Sequence, residues 1–140
     1  MAELDFWIGE WDVRWDGGSG TNSVNSELDG LVVMERFASA DLRGLSLSVK
    51  DGDTWRQTWA DSNGTHLAFH GGPNGDEFEL RCIRDNNQFR MRFTEITEGS
   101  IVWLWERRIK GQWTLEWRID YARIADEPEP STNVEATFPK

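Results

Sequence analysis

The chain predicts an all-β fold, about ten antiparallel strands closed into an up-and-down barrel. Three observations predict it. Apolar side chains recur with period two along most of the sequence, and helical periodicity is nearly absent. Turn chemistry separates these runs at short intervals: Asp51-Gly52-Asp53, Asn63-Gly64, Gly71 to Glu77, Asp85-Asn86-Asn87, Glu98-Gly99-Ser100 and Lys110-Gly111-Gln112. A meander of hairpins with one apolar face must pack on a second sheet or close on itself, and closure removes exposed edges. A two-sheet sandwich is the alternative.

Taken in order, Leu4 to Ile8 reads as a short helical turn, an N-terminal helical plug for one barrel end. Strands are expected at 9–16, 20–28, 31–39, 43–50, 54–61, 65–71, 76–84, 88–96, 100–109 and 113–123. In the first, Trp11, Val13 and Trp15 share one face against Asp12 and Arg14. The second is polar on both faces and carries the weakest pattern. In the third, Leu31, Val33, Glu35 and Phe37 share the inward phase, and in the fifth Trp55, Gln57, Trp59 and Asp61 do. Phe78, Leu80, Cys82 and Arg84 follow, then Phe89, Met91 and Phe93, with Arg90 and Arg92 on a solvated outer face. Ile101, Trp103, Trp105 and Arg107 form the ninth inward set. The tenth is Trp113, Leu115, Trp117, Ile119 and Tyr121, against Thr114, Glu116, Arg118 and Asp120. Residues 1–125 are thus one barrel domain, and 126–140, rich in proline and acid, read as a disordered acidic tail.

Composition narrows the partners. The 140 residues carry 15 Lys+Arg against 25 Asp+Glu, a formal net charge of -10. Such a balance repels polyanions, so neither nucleic acid nor a membrane surface is an expected partner. Cys82 is the lone cysteine, and no signal peptide or long apolar run is visible, so a cytoplasmic protein is expected. Asn63-Gly64-Thr65 fits a glycosylation acceptor but reads better as a turn. The sequence says nothing about oligomeric state.

On this phasing every tryptophan except Trp7 faces inward, and Trp7 belongs to the plug. The rings either fill the interior or line it, and a closed end packed with an open end lined satisfies both. Trp11 is expected at the closed end and Trp59 at the open one.

Gly9-Glu10-Trp11 resembles the lipocalin opening, in which the tryptophan packs at the closed end and an arginine of the last strand lies across its ring. Arg123 in "YARI" stands at the matching position, with Arg118 as a rival. A longer resemblance spans residues 4 to 124. "FWIGEW", "LDGLVVMERF", "LRGLSLSV", "WRQTWADSNG", "RMRF" and "WLWERR" resemble the uncharacterised bacterial domain-of-unknown-function family 1579. That resemblance implies a calycin-like, lipocalin-like small β-barrel and no particular activity. The chain departs from the family pattern at His70, where an acid is expected, so no role is carried over there.

Function must come from polar residues on apolar faces. Glu35 and Gln57 interrupt inward phases, and Asp61, Arg84 and Arg107 end them. A buried carboxylate or guanidinium is costly unless paired or wet. Glu35 therefore pairs with an arginine, orients a ligand together with Gln57, or acts as an acid or base of raised pKa. The expectation is a cavity for a small, largely apolar molecule, aromatic or polyene-like. Its binding residues are Glu35, Phe37, Gln57, Trp59, Asp61, Arg84, Trp103, Trp105, Arg107, Trp117 and Tyr121. The alternative is a cofactor-independent enzyme, a cyclase, isomerase or hydrolytic enzyme, using Glu35 as its catalytic residue. A third reading is a solid tryptophan-filled core with a partner surface. His66 and His70 stand ~13 Å apart along one strand face, too far to clasp one ion, and read as surface or rim histidines; neither metal nor cofactor is expected, and a lone axial haem ligand is the alternative.

Overall fold

Residues 3–125 are described by a computed structural model, in which each alternating run pairs with its sequence neighbours. The strands are β1 Gly9–Trp15, β2 Gly18–Glu27, β3 Val32–Ser39, β4 Arg43–Asp51, β5 Thr54–Asp61, β6 His66–Asn74, β7 Glu77–Arg84, β8 Asn87–Thr94, β9 Ser100–Ile109 and β10 Gln112–Arg123. All pairings are antiparallel and β1 pairs with β10, so the sheet closes into an up-and-down barrel rather than a sandwich. Two-residue turns behave as their sequences demand: Asp85 and Asn86 take φ of 53° and 64°, the left-handed pair that suits a tight hairpin. The expected tail, 126–140, lies outside the described residues. Among the described residues no helix is long and apolar enough to cross a membrane.

The N-terminal segment is not a helical plug. It makes a single 3-10 turn, Asp5–Trp7, because Ile8 is already extended and Gly9 opens β1. The turn still buries Leu4 and Trp7 completely at the closed end. Arg123 holds it there, donating from Nη1 to the Ile8 carbonyl at 2.8 Å and from Nη2 to the Phe6 carbonyl at 3.2 Å. Its guanidinium lies 4.2 Å from the Trp11 ring centroid, while the Trp11 indole N–H donates to the Trp7 carbonyl. A side chain at Gly9, where φ is 143°, would collide with that guanidinium. Arg118 instead pairs with Asp120 on the outer surface. Trp7, Trp11 and Gly9 therefore close the barrel base.

Three expected phases are corrected. Leu31 is exposed, because Leu28 and Asp29 adopt left-handed backbone and β3 begins only at Val32. In β10 a register shift between Leu115 and Trp117 reverses the alternation. Trp117, Ile119 and Tyr121 remain inside, but Leu115 is exposed and Trp113 lies outside, with the Arg90 guanidinium 4.3 Å from its ring. Arg90 and Arg92, finally, are not a solvated face. Their side chains are only 17% and 21% exposed, held by Glu106, and Arg92 also donates to Glu77.

The closed half is solid. Trp7, Trp11, Val13, Val24, Phe78, Phe93 and Ile101 are all at most 1% exposed.

Candidate functional site

The open half is hollow. A cavity of about 260 Å³ lies among Glu35, Phe37, Gln57, Trp59, Asp61, Arg84, Trp103, Trp105, Trp117 and Tyr121. Trp7, Leu42, Thr65, Leu67, Phe69, Met91, Phe93 and Ile119 complete its walls. Alternation explains why for most of them: they are inward positions of β3 and β5 to β10, while Trp7, Leu42 and Thr65 lie outside the strands. Arg107 is the expected residue that does not join them. It sits near the end of β9 and donates to Asn87 Oδ1 at 3.1 Å, with Glu116 3.9 Å away, and its Nε is buried without a partner.

Aromatic rings form a continuous collar around this half. Trp59, Phe37, Trp15, Trp117, Trp103, Trp105 and Phe89 each meet the next at centroid separations between 5.1 and 6.3 Å, mixing stacked and edge-on contacts. Trp59 is seated by Gly44, where any side chain would strike its ring. The Trp59 indole N–H donates to Asp61 Oδ2 at 2.8 Å. Asp61 also accepts from the backbone N–H groups of Asn63 and Thr65, which folds the Asn63-Gly64-Thr65 segment as a turn. Burial pushes the Asp61 carboxyl up, but these hydrogen bonds and nearby Arg84 outweigh it and hold its pKa below the usual value.

The polar wall centres on Glu35. Ser46 Oγ donates to its Oε1 at 2.6 Å and Asn22 Nδ2 to its Oε2 at 2.8 Å. The same Asn22 nitrogen donates to the Tyr121 hydroxyl at 2.9 Å. Burial dominates the Glu35 carboxyl and raises its pKa, the two hydrogen bonds offsetting only part of the effect. Tyr121 is raised as well, by burial and then by the neighbouring Glu35 charge. The Trp7 indole N–H bears on that hydroxyl, opposing the rise, yet makes no well-aligned hydrogen bond. Gln57 Nε2 donates to Ser48 Oγ at 3.0 Å. The expectation of an arginine partner for Glu35 is overturned: its hydrogen-bond donors are neutral, because Arg84 and Arg107 stand too near the open rim to reach it.

Asn22, Ser46 and Ser48 are therefore the polar residues that phase reasoning missed. A signal was present in β4, whose pattern is inverted. Leu45, Leu47 and Val49 are exposed while Gly44, Ser46 and Ser48 face inward. Asn22 left none, since β2 is polar on both faces.

Other candidates stay apart. His66 and His70 are exposed on β6, and no group of three metal-binding side chains is found among the described residues. Cys82 is buried, which pushes its thiol up to about 11 despite Arg84 nearby, so it is not a ready nucleophile.

No protein-family model matches this chain, and no curated protein is similar to it.

Proposed function

We propose that the protein binds a small aromatic molecule in the open-end cavity. One observation carries the reading: a cavity of about 260 Å³ walled by Trp59, Trp103, Trp105 and Trp117 and furnished on one side with fixed polar groups, Glu35 and Gln57. Binding sites are typically concave, mostly apolar and supplied with a few oriented polar atoms. A cavity of this size, open at one end, suits a compact ligand of one or two rings. The resemblance of its sequence blocks to the domain-of-unknown-function family 1579 is in keeping with a calycin-like barrel within the same reading. Titrating tryptophan fluorescence with one- and two-ring alcohols, acids and amines tests it. A saturable change with at least one probe is expected, and a flat response across the series overturns the proposal.

The catalytic alternative has its own observation, a carboxyl on the cavity wall whose burial favours the protonated form. Both Glu35 oxygens already accept hydrogen bonds, which suits an anchor better than a proton donor. As a catalyst, the Glu35→Gln variant would lose turnover and keep ligand affinity.

A further inference from the structure

The polar wall is lopsided in charge. Its carboxyl group, Glu35, faces Asn22 on β2, Ser46 on β4 and Tyr121 on β10. Of these only Tyr121 titrates, and its neutral form is the favoured one. The other charged groups on the cavity wall are Asp61 and Arg84, towards the mouth. Arg84 is half exposed there, and its charge acts on Asp61. Among the described residues, then, no cation pairs with Glu35. A carboxylate taken out of water without a countercharge is strongly disfavoured. Nearby aromatic faces have the opposite preference, because their negative π clouds attract cations. A net charge of -10 further concentrates cations around the molecule.

We propose that the cavity takes a small organic cation, an arylalkylamine or an ammonium compound of similar size, with its charged head on Glu35 and its ring within the tryptophan collar. The inference rests on the reading that this cavity binds small molecules. Each Glu35 oxygen spends one acceptor site on Ser46 or Asn22 and keeps another, and Gln57 has its Oε1 left as an acceptor once Nε2 serves Ser48. An ammonium group brings three donors to those acceptors. The proton balance is explicit: whatever fraction of Glu35 is protonated in the free protein gives its proton to solvent as the ammonium ion arrives, and the ligand keeps its own.

Tryptamine and its alcohol analogue tryptophol differ only at the head group, so calorimetric titration of the full chain with both isolates the charge. Tryptamine should bind at least tenfold more tightly. In the Glu35→Gln variant the preference for tryptamine over tryptophol should disappear. Repeating the wild-type titration between pH 5 and pH 8 in two buffers of different ionisation enthalpy should show proton release with tryptamine that grows as pH falls, and none with tryptophol, a readout independent of any variant. Equal affinity for the two probes, or a preference that survives in Glu35→Gln, overturns the cation assignment while small-molecule binding stands. Failure of both probes together with the whole aromatic series overturns both.

Discussion

Ser46 hands its hydroxyl hydrogen to Glu35 across 2.6 Å, from a strand that turns its leucines to solvent. The inversion of β4 has a local purpose: Gly44 seats Trp59, Ser46 serves Glu35 and Ser48 serves Gln57. Removing the Ser46 hydroxyl leaves a buried acceptor short of a donor. Ser46→Ala should cost about 1–3 kcal/mol, more at neutral than at acidic pH, as urea denaturation at two pH values would show.

Glu35 should also shape the pH profile of stability. Its carboxyl ionises less readily in the folded protein than in the unfolded chain. Stability is then full below the ordinary carboxyl value of 4.5 and declines as pH rises through the raised folded value. Each unit of displacement removes about 1.4 kcal/mol once ionisation is complete. Melting temperatures of wild type and Glu35→Gln, compared from pH 4 to 9, should diverge in favour of the variant as pH rises. Parallel curves would contradict this.

Glu106 should act with the opposite sign. Burial pushes its carboxyl up, but hydrogen bonds from Arg92 and Arg90 prevail and lower its pKa. That contribution is present above the unfolded value and lost as pH falls through the folded one. The advantage of wild type over Glu106→Gln in urea should be largest at neutral pH and shrink towards pH 3.

The two faces of β10 can be separated by their tryptophans. Trp113→Ala removes an external ring beneath Arg90 and should cost about 1 kcal/mol, leaving aromatic-ligand affinity untouched. Trp117→Ala opens the cavity wall, should cost about 2–4 kcal/mol and should weaken the same ligand several-fold. Equal effects on binding would place Trp113 inside after all.

Arg123 is the clasp of the closed end. Arg123→Met keeps the stem but forfeits the hydrogen bonds to the Phe6, Ile8 and Glu98 carbonyls and the contact with Trp11. A loss of about 2–4 kcal/mol is expected. Hydrogen exchange should show residues 4–8 losing protection before the strands do.

The sequence made the barrel legible because alternation and turn chemistry agree along nearly every strand. Trp59, Trp103 and Trp105 could be phased simply by counting. Trp113 could not, since nothing between Leu115 and Trp117 announces the register shift. Glu35 stood out as a carboxyl on an apolar face, but its partners did not. Asn22 sits on a strand whose two faces look alike, and Ser46 sits opposite leucines that claim the inward phase by composition. The shielding of Arg90 and Arg92 is hidden for a related reason: alternation tells which side of the sheet a residue faces, and not whether opposite charges will shield it there.

The pairing of β1 with β10, which sets Trp11 beside Arg123, also constrains how the chain can be made. Every other strand meets a neighbour already synthesised or next in line, whereas this seam joins the first strand to the last. During vectorial synthesis β1 must wait with one edge unpaired until some hundred residues have followed, and closing so long a loop is entropically slow. A nascent chain stopped before Gln112 is an open curved sheet with two sticky borders, the form most prone to join another chain. The last barrel strand to emerge is thus the one that ends this exposure, and its Arg123 also secures the turn that precedes β1.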